Sequence, residues 1–349
     1  GAVALVAAII FRLTGSFFPA IAGAVALTVS QSFWLYAVIT ETYSLLNFLL
    51  ALMLYIALAA ESGENKNYYY LLVFLCGLTF SLHGLLLLFI PCFLIIIYSG
   101  KFRSLVFSRN LVLLILAFII GGSQVFIFNK PNIFSPNDFI RQFNKTTFIH
   151  YHYFGGELNK ILKETTKYPA YLFYQFPVLG FFIGIYGIIA LSRINKRICI
   201  ATGLTFIFVV LFASYYFFQR QFAMLISSYL IFSIWIGFGV SRLIKTKLLN
   251  RLYKRYIFIV LLTALPPVIY YTAYKTLDSA GFKLKSIREL PYRNTLKYYL
   301  FPPKNDEYGA EKYTKDAFAQ APKNAVILAD FNPGMALLFG QQILNWRPD

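Results

Sequence analysis

The sequence predicts an all-α polytopic membrane protein of about ten apolar spans, followed by the start of a soluble α/β domain. Three observations carry that reading. Hydrophobic residues make up 58% of the chain and charged residues 13%, with a mean hydropathy of +0.63, which a soluble domain does not show. Long apolar runs alternate with short basic loops. After about residue 275 the pattern changes, and helical and strand-like periods follow each other in a more charged segment.

A bilayer core needs roughly 20 apolar residues as helix. On that rule spans fall at about 1–12, 18–38, 42–60, 68–82, 84–99, 110–128, 171–191, 198–217, 222–241 and 256–274. The run from Tyr68 to Tyr98 is too long for one crossing at about 1.5 Å per residue. Gly77, His83, Gly84 and Pro91 predict a tight helical hairpin with short arms there. The chain thus divides into a multi-span transmembrane domain over 1–275 and a truncated α/β domain over 276–349. In the second, Ala310 to Gln320 predicts an amphipathic helix and Ala325 to Ala329 a buried strand. Asp330-Phe331-Asn332-Pro333-Gly334 predicts a turn, and Met335 to Gln342 a second helix. Opening at Gly1 in mid-run and stopping at Asp349, the sequence reads as a fragment of something longer.

Thirty-two Lys and Arg face fourteen Asp and Glu. The basic residues punctuate apolar runs rather than form a soluble surface, so no nucleic acid partner is expected. Lys101, Arg103 and Arg109 fill one loop; Arg193, Lys196 and Arg197 fill another. Arg242, Lys245, Lys247, Arg251, Lys254 and Arg255 fill a third. None of the three contains an acid, which marks them as cytoplasmic. The loop Glu61 to Asn67 falls on the same side by alternation but lacks the basic bias. Glu41, His83, the segment from Asn129 to Ala170, Arg220 and everything after Tyr274 then share the opposite face. Cys76, Cys92 and Cys199 lie in or beside apolar spans without metal-ligand spacing and read as packing residues.

Glu41 is the only acidic residue inside the long apolar stretches. The other thirteen acids lie near residue 61, within 129–170 or beyond 275. A carboxylate in that setting is a functional-site suspect by default, and a helix cap at the bilayer surface is the equal alternative. Arg220 interrupts an aromatic junction, Tyr215-Tyr216-Phe217-Phe218-Gln219-Arg220-Gln221-Phe222. Its guanidinium suits a lipid phosphate, or else it snorkels as an interfacial anchor. His83 is either a satisfied hydrogen-bonding group or a ligand at the Glu41 face. His150 and His152 alternate like one face of a strand, and two histidines do not complete a zinc site. They are expected on a membrane surface or an acceptor groove. Asn144-Lys145-Thr146 fits the N-glycosylation pattern. Glu61-Ser62-Gly63-Glu64 looks like an acidic motif but falls on the cytoplasmic side and reads as a solvated turn. Asp330 stands at the end of the expected strand, where α/β folds often bind ligands.

Ser32-Phe33-Trp34 with Ala37, Glu41, Tyr43 and Leu45, and Gly77-Leu78 with His83, Leu86 and Pro91, carry a resemblance. The stretch Tyr229 to Gly239 and the closing Ala325 to Asp349 extend it. Together they resemble the transmembrane protein 260-type protein O-mannosyltransferases, which have many bacterial members. The resemblance implies a GT-C-like multi-span glycosyltransferase. It would move mannose, or another hexose, from a polyprenyl-phosphate carrier to a Ser or Thr hydroxyl of a protein acceptor. The membrane would be the bacterial inner membrane or that of the endoplasmic reticulum, with the site extracytoplasmic or lumenal. The resemblance also implies an Asp-Ser-Gly-Glu motif on a first loop before Gly1 as the principal catalytic carboxylate. Glu41 would be a carboxylate near the base, a metal ligand or an acceptor-site partner. His83 would hydrogen-bond sugar or phosphate, and Trp34 and Tyr43 would line the substrate site. Arg220 as the phosphate contact is read from the residues themselves. The cofactor is left open, a divalent metal included. A transporter or a non-catalytic lipid-carrier binding protein are the alternatives, although the polar groups gather at one face rather than at the midplane.

Overall fold

In the computed structural model the apolar runs are helices. The structure describes residues 1–39, 41–63, 65–98, 100–124, 158–215, 221–284 and 289–347. They form two units, Gly1–Ile269 and Tyr270–Asp349, whose boundary falls inside one long helix.

The first unit begins with α1 (Ala2–Thr14), which stops where Gly15 takes a left-handed conformation and donates its N–H to the Phe11 carbonyl. Then come α2 (Phe17–Thr28) and α3 (Gln31–Val38), α4 (Tyr43–Glu61) and α5 (Asn67–Leu82). A 3-10 turn, Gly84–Leu88, leads to α6 (Ile90–Ile97), α7 (Gly100–Val106) and α8 (Asn110–Gly122). After the undescribed stretch come α9 (Leu158–Gln175), α10 (Leu179–Ile194), α11 (Lys196–Tyr215), α12 (Gln221–Met224), α13 (Ile226–Leu243) and α14 (Leu252–Ser279).

By length and composition, four helices among the described residues can cross a membrane: Tyr43–Glu61, Lys196–Tyr215, Phe222–Leu243 and Leu252–Ser279. Two bent pairs raise the number to six. Ten spans are not shown among the described residues, for three reasons. The run 18–38 is bent by 66° between α2 and α3. The run 171–191 is bent by 115° between α9 and α10, where Pro177 disfavours the helical conformation for Phe176 and Val178 takes φ 52. Finally α1, α5 and α8 have 13, 16 and 13 residues, roughly 20–24 Å of helix against a core of about 30 Å. The expected hairpin over 68–99 takes another form: α6 packs on α4 and α11.

The core is α13. Every residue from Ile226 to Val240 is buried, and α1, α2, α10 and α11 pack around it. Between helices already surrounded by apolar matter, close packing replaces the hydrophobic effect as the driving force, and glycine allows it. A Cβ on Gly187 of α10 would stand 1.8 Å from the Trp235 carbonyl oxygen. Where α5 meets α8, a Cβ on Gly77 would lie 2.1 Å from the Phe118 carbonyl oxygen, and one on Gly121 2.0 Å from that of Phe74. Some buried polar groups of the core are paired: Trp235 Nε1 donates to Thr202 Oγ1 at 3.1 Å and Ser233 Oγ to the Leu230 carbonyl at 2.7 Å, whereas Ser227 Oγ makes no hydrogen bond among the described residues.

α4 and α5 are antiparallel and define the two ends of the unit. At one end Tyr69 Oη donates to the Ala60 carbonyl at 3.1 Å. Arg197 gathers there, donating to the carbonyls of Ile95 and Tyr98 at 2.6 Å each and to that of Ile96. Its guanidinium lies 3.4 Å from Glu61, and Arg12 donates to Ser62 Oγ. The loop from Glu61, acid-bearing in sequence, is thus held by arginines at the basic end rather than simply solvated. The free Cys76, Cys92 and Cys199 pack within the helices.

The second unit holds the end of α14 with α15 (Thr295–Leu300), α16 (Gly309–Gln320) and α17 (Phe331–Gln342). No strand occurs among the described residues. Ala325–Ala329, expected as a buried strand, has no regular secondary structure, and Val326 and Leu328 are 88% and 93% exposed. A strand is stabilised by a neighbouring ladder, and none is at hand. Asp330 to Gly334, expected as a turn, opens α17 instead: Asp330 is the N-cap, and Pro333 sits in the first turn, where its missing N–H costs nothing. Arg347 donates to the carbonyls of Phe318 and Ala321 at 2.6 Å, fastening the end of α16.

Two outcomes test this packing. Gly187→Val should lower stability in detergent by about 3 kcal/mol or more, because backbone cannot yield to the new methyls. Gly203→Ala, whose Cβ meets nothing within 4 Å, should leave it unchanged or raise it by up to about 1 kcal/mol. Equal melting of the two variants would contradict the close approach. Arg197→Lys keeps the charge but loses the fork that reaches three carbonyls, and should cost about 1–2 kcal/mol in the same assay.

Candidate functional site

The end of the first unit opposite Arg197 is built where three helices stop. Ser30 breaks α2 from α3, its extended backbone letting α3 turn away while Ser30 Oγ donates to the Leu27 carbonyl at 2.8 Å. α3 ends with Ile39 extended, and Glu41 and Thr42 lead into α4. α5 ends at His83, extended at φ −162.

These ends meet in an aromatic group. Tyr43 lies 5.6 Å from His83 and 5.6 Å from Tyr36, centroid to centroid, with the tyrosines edge to face. Ser44 Oγ donates to the Tyr36 carbonyl at 2.6 Å, which holds α3 on the first turn of α4. Asn47, fully buried one turn below, donates to the Tyr43 carbonyl at 2.8 Å. Glu41 is half-buried beside this group in sequence. It also stands just before α4, where the helix dipole favours an anion. Both readings of Glu41 therefore agree with its place.

His83 has a structural duty. Its Nδ1 accepts from the Leu85 N–H at 3.1 Å and so caps the 3-10 turn. That bond assigns the proton of the neutral ring to Nε2. The imidazole can therefore present an N–H to an oxygen but not use Nδ1 as a base. Gln124 braces the turn beside it, donating to Ser81 Oγ at 2.6 Å and to the Leu78 carbonyl at 3.1 Å.

A second polar group ties α3 to α9. The Ser32 N–H donates to Gln175 Oε1 at 2.8 Å, Gln175 Nε2 donates to Ser32 Oγ at 2.9 Å, and Ser32 Oγ donates to Gln31 Oε1 at 3.0 Å. All three residues are buried. On the same helix Tyr168 Oη lies 2.7 Å from Ser228 Oγ, and Tyr171 packs edge-on against Phe222 at 5.1 Å. Burial pairs each of these polar groups, as the cost of an unmade hydrogen bond requires.

The structure thus brings His83 and Tyr43 together and adds Tyr36, and a separate group joins Ser32, named above in the resemblance alone, to Gln31 and Gln175. Trp34 is half-buried on α3 and makes no ring contact with the aromatic group among the described residues. Arg220, His150, His152 and Asn144 lie outside the described residues. Asp330 is the α17 N-cap rather than the end of a strand. No group of three or more His, Cys, Asp and Glu that could hold a metal occurs among the described residues.

No curated protein and no solved structure matches the chain. Residues 5–106 match the family model described as the protein O-mannosyl-transferase TMEM260 N-terminal domain. Trp34, Tyr36, Glu41, Tyr43 and His83 all fall inside that stretch. Over residues 5–106, less than a third of its length, the chain is similar to that family's N-terminal domain.

Proposed function

We propose that the protein transfers mannose from a polyprenyl-phosphate carrier to a Ser or Thr hydroxyl of a protein acceptor, at the extracytoplasmic or lumenal end of its helices. The observation that carries this reading is the Tyr36–Tyr43–His83 group with Glu41 next to it in sequence, inside the family-matched stretch and at the end opposite the basic loops. In the transfer, the acceptor oxygen bonds to the anomeric carbon and the bond from that carbon to the carrier phosphate breaks. The hydroxyl proton passes to a carboxylate, and the phosphate leaves with the electron pair.

Each residue then has a task suited to its chemistry. Glu41 holds the acceptor hydroxyl or the carboxylate that takes its proton. His83, with its proton on Nε2, and the phenols of Tyr36 and Tyr43 donate hydrogen bonds to sugar or phosphate oxygens. The rings of Tyr43 and Trp34 offer apolar faces to the sugar. Arg220 supplies positive charge for the leaving phosphate.

Transfer of radiolabelled mannose from the polyprenyl-phosphate donor to a Ser/Thr peptide by the purified protein tests the proposal. Glu41→Gln should lower turnover by about a hundredfold or more. His83→Asn retains a short acceptor for the Leu85 N–H but removes Nε2. It should cut turnover about tenfold with an unchanged melting temperature. Arg220→Ala should weaken donor affinity by roughly a hundredfold, with Arg220→Lys recovering part of it. Donor binding without turnover in the wild type, or wild-type turnover in Glu41→Gln, would refute the assignment.

A further inference from the structure

The second unit carries a cluster with no part in that transfer. The Arg293 guanidinium lies 4.1 Å from the centroid of the Tyr298 ring and 5.7 Å from that of Tyr299. Lys304 Nζ lies 4.8 Å from the same Tyr298 centroid. Two cations therefore share one ring, an arrangement that like-charge repulsion opposes unless an anion joins them.

Hydrogen bonding points the same way. Arg293 Nε and Thr295 Oγ1 are buried without a hydrogen-bond partner among the described residues. Lys304 Nζ spends two donors on the carbonyls of Phe301 and Pro302, at 2.9 and 3.0 Å, and keeps a third. Three carboxylates of this unit are engaged with other side chains, and Glu307, whose charge favours the Lys304 ammonium, forms no ion pair with Lys304 or Arg293 among the described residues. Asp306 pairs with Lys297, Asp316 accepts from Tyr292, and Asp278 accepts from Asn294 Nδ2 at 3.0 Å. Orphaned buried donors beside two cations are satisfied together by one polyvalent acceptor.

We propose that Arg293, Thr295 and Lys304 form a binding site for a phosphate group, either in an anionic lipid headgroup or free. A guanidinium fork, a hydroxyl and an ammonium supply more donors than the two oxygens of a carboxylate take up, which suits the several oxygens of a phosphate. Lipid is the favoured source because the cluster rests on the last turns of α14, a helix of membrane-spanning length. Tyr271 there packs on Phe301 at 5.5 Å, and Lys275 lies over Tyr271 and Tyr274 at 5.8 and 5.4 Å. Tyrosine and lysine at a helix end are the side chains that settle at headgroup depth.

Burial pushes the Lys304 ammonium down to about 8. Glu307 and Asp306 oppose that shift, and Lys297 and Arg293 add to it. The protonated form is the one that binds an anion. Affinity is therefore full below the free-state value and falls as pH rises past it.

The test is calorimetric titration of the full chain in neutral detergent with dihexanoyl phosphatidylglycerol, whose diester charge is constant over the range used. Dihexanoyl phosphatidylcholine serves as the control, and inorganic phosphate as both ligand and competitor. We expect saturable phosphatidylglycerol binding, weakened about tenfold or more in both Arg293→Gln and Lys304→Gln. It should also weaken in the wild type between about pH 7 and pH 9.5. Displacement of the lipid by inorganic phosphate supports a site that reads the phosphate alone; lipid binding that inorganic phosphate does not displace supports a headgroup site. Binding of inorganic phosphate without lipid supports the free ion as occupant. The site is refuted if neither anion binds, or if both variants, folded by circular dichroism, bind as the wild type does. A flat pH profile removes Lys304 from it.

Discussion

The burial of α13 is the constraint on which the first unit depends. Its residues from Ile226 to Val240 are all buried, so neighbouring helices must meet it without room for side chains between backbones. Gly187 of α10 and Gly239 of α13 are the points of closest approach: a Cβ on Gly239 would stand 2.4 Å from the Ile183 carbonyl oxygen. Because packing rather than water exclusion holds such helices together, a methyl at these points shifts whole helices. The position of α9, and through Gln175 that of α3, follows from the bend at Phe176-Pro177-Val178 that lets α10 reach α13.

Helix ends then sort by chemistry. Arginine forks close one end, with Arg197 satisfying the carbonyls that α6 leaves unpaired and meeting Glu61. Aromatic rings and neutral hydrogen bonds close the other, where Tyr36, Tyr43 and His83 meet. α4 runs between them with Tyr43 at its first residue and Glu61 at its last. One helix thus carries both a structural arginine contact and a candidate site residue, and that separation gives the unit its polarity.

Much of this was legible in the residues. Apolar runs read as helices, and counting spans put the start of α4 and the end of α5 at one end, although four to six helices rather than ten have the length of a span among the described residues. The two numbers differ because hydropathy does not register breaks such as Ser30 and Val178, which depend on local backbone geometry. They differ also because α1, α5 and α8 are apolar but short. Tyr36 was passed over as one aromatic among many, and only the turn back of α4 brings it to Tyr43. The Ser32–Gln175 clamp joins residues 143 positions apart, which no local pattern can reveal. Ala325 to Ala329 has the composition of a strand, but strand formation depends on a partner, which composition does not supply.

Single-cysteine accessibility in oriented vesicles tests the polarity of the first unit most directly. On a background lacking Cys76, Cys92 and Cys199, an impermeant maleimide should label Thr42→Cys, at the exposed start of α4, from the extracytoplasmic side only. It should label Lys247→Cys from the cytoplasmic side only. Labelling of both positions from one side would contradict the two-ended arrangement and the site placed at the Glu41 end.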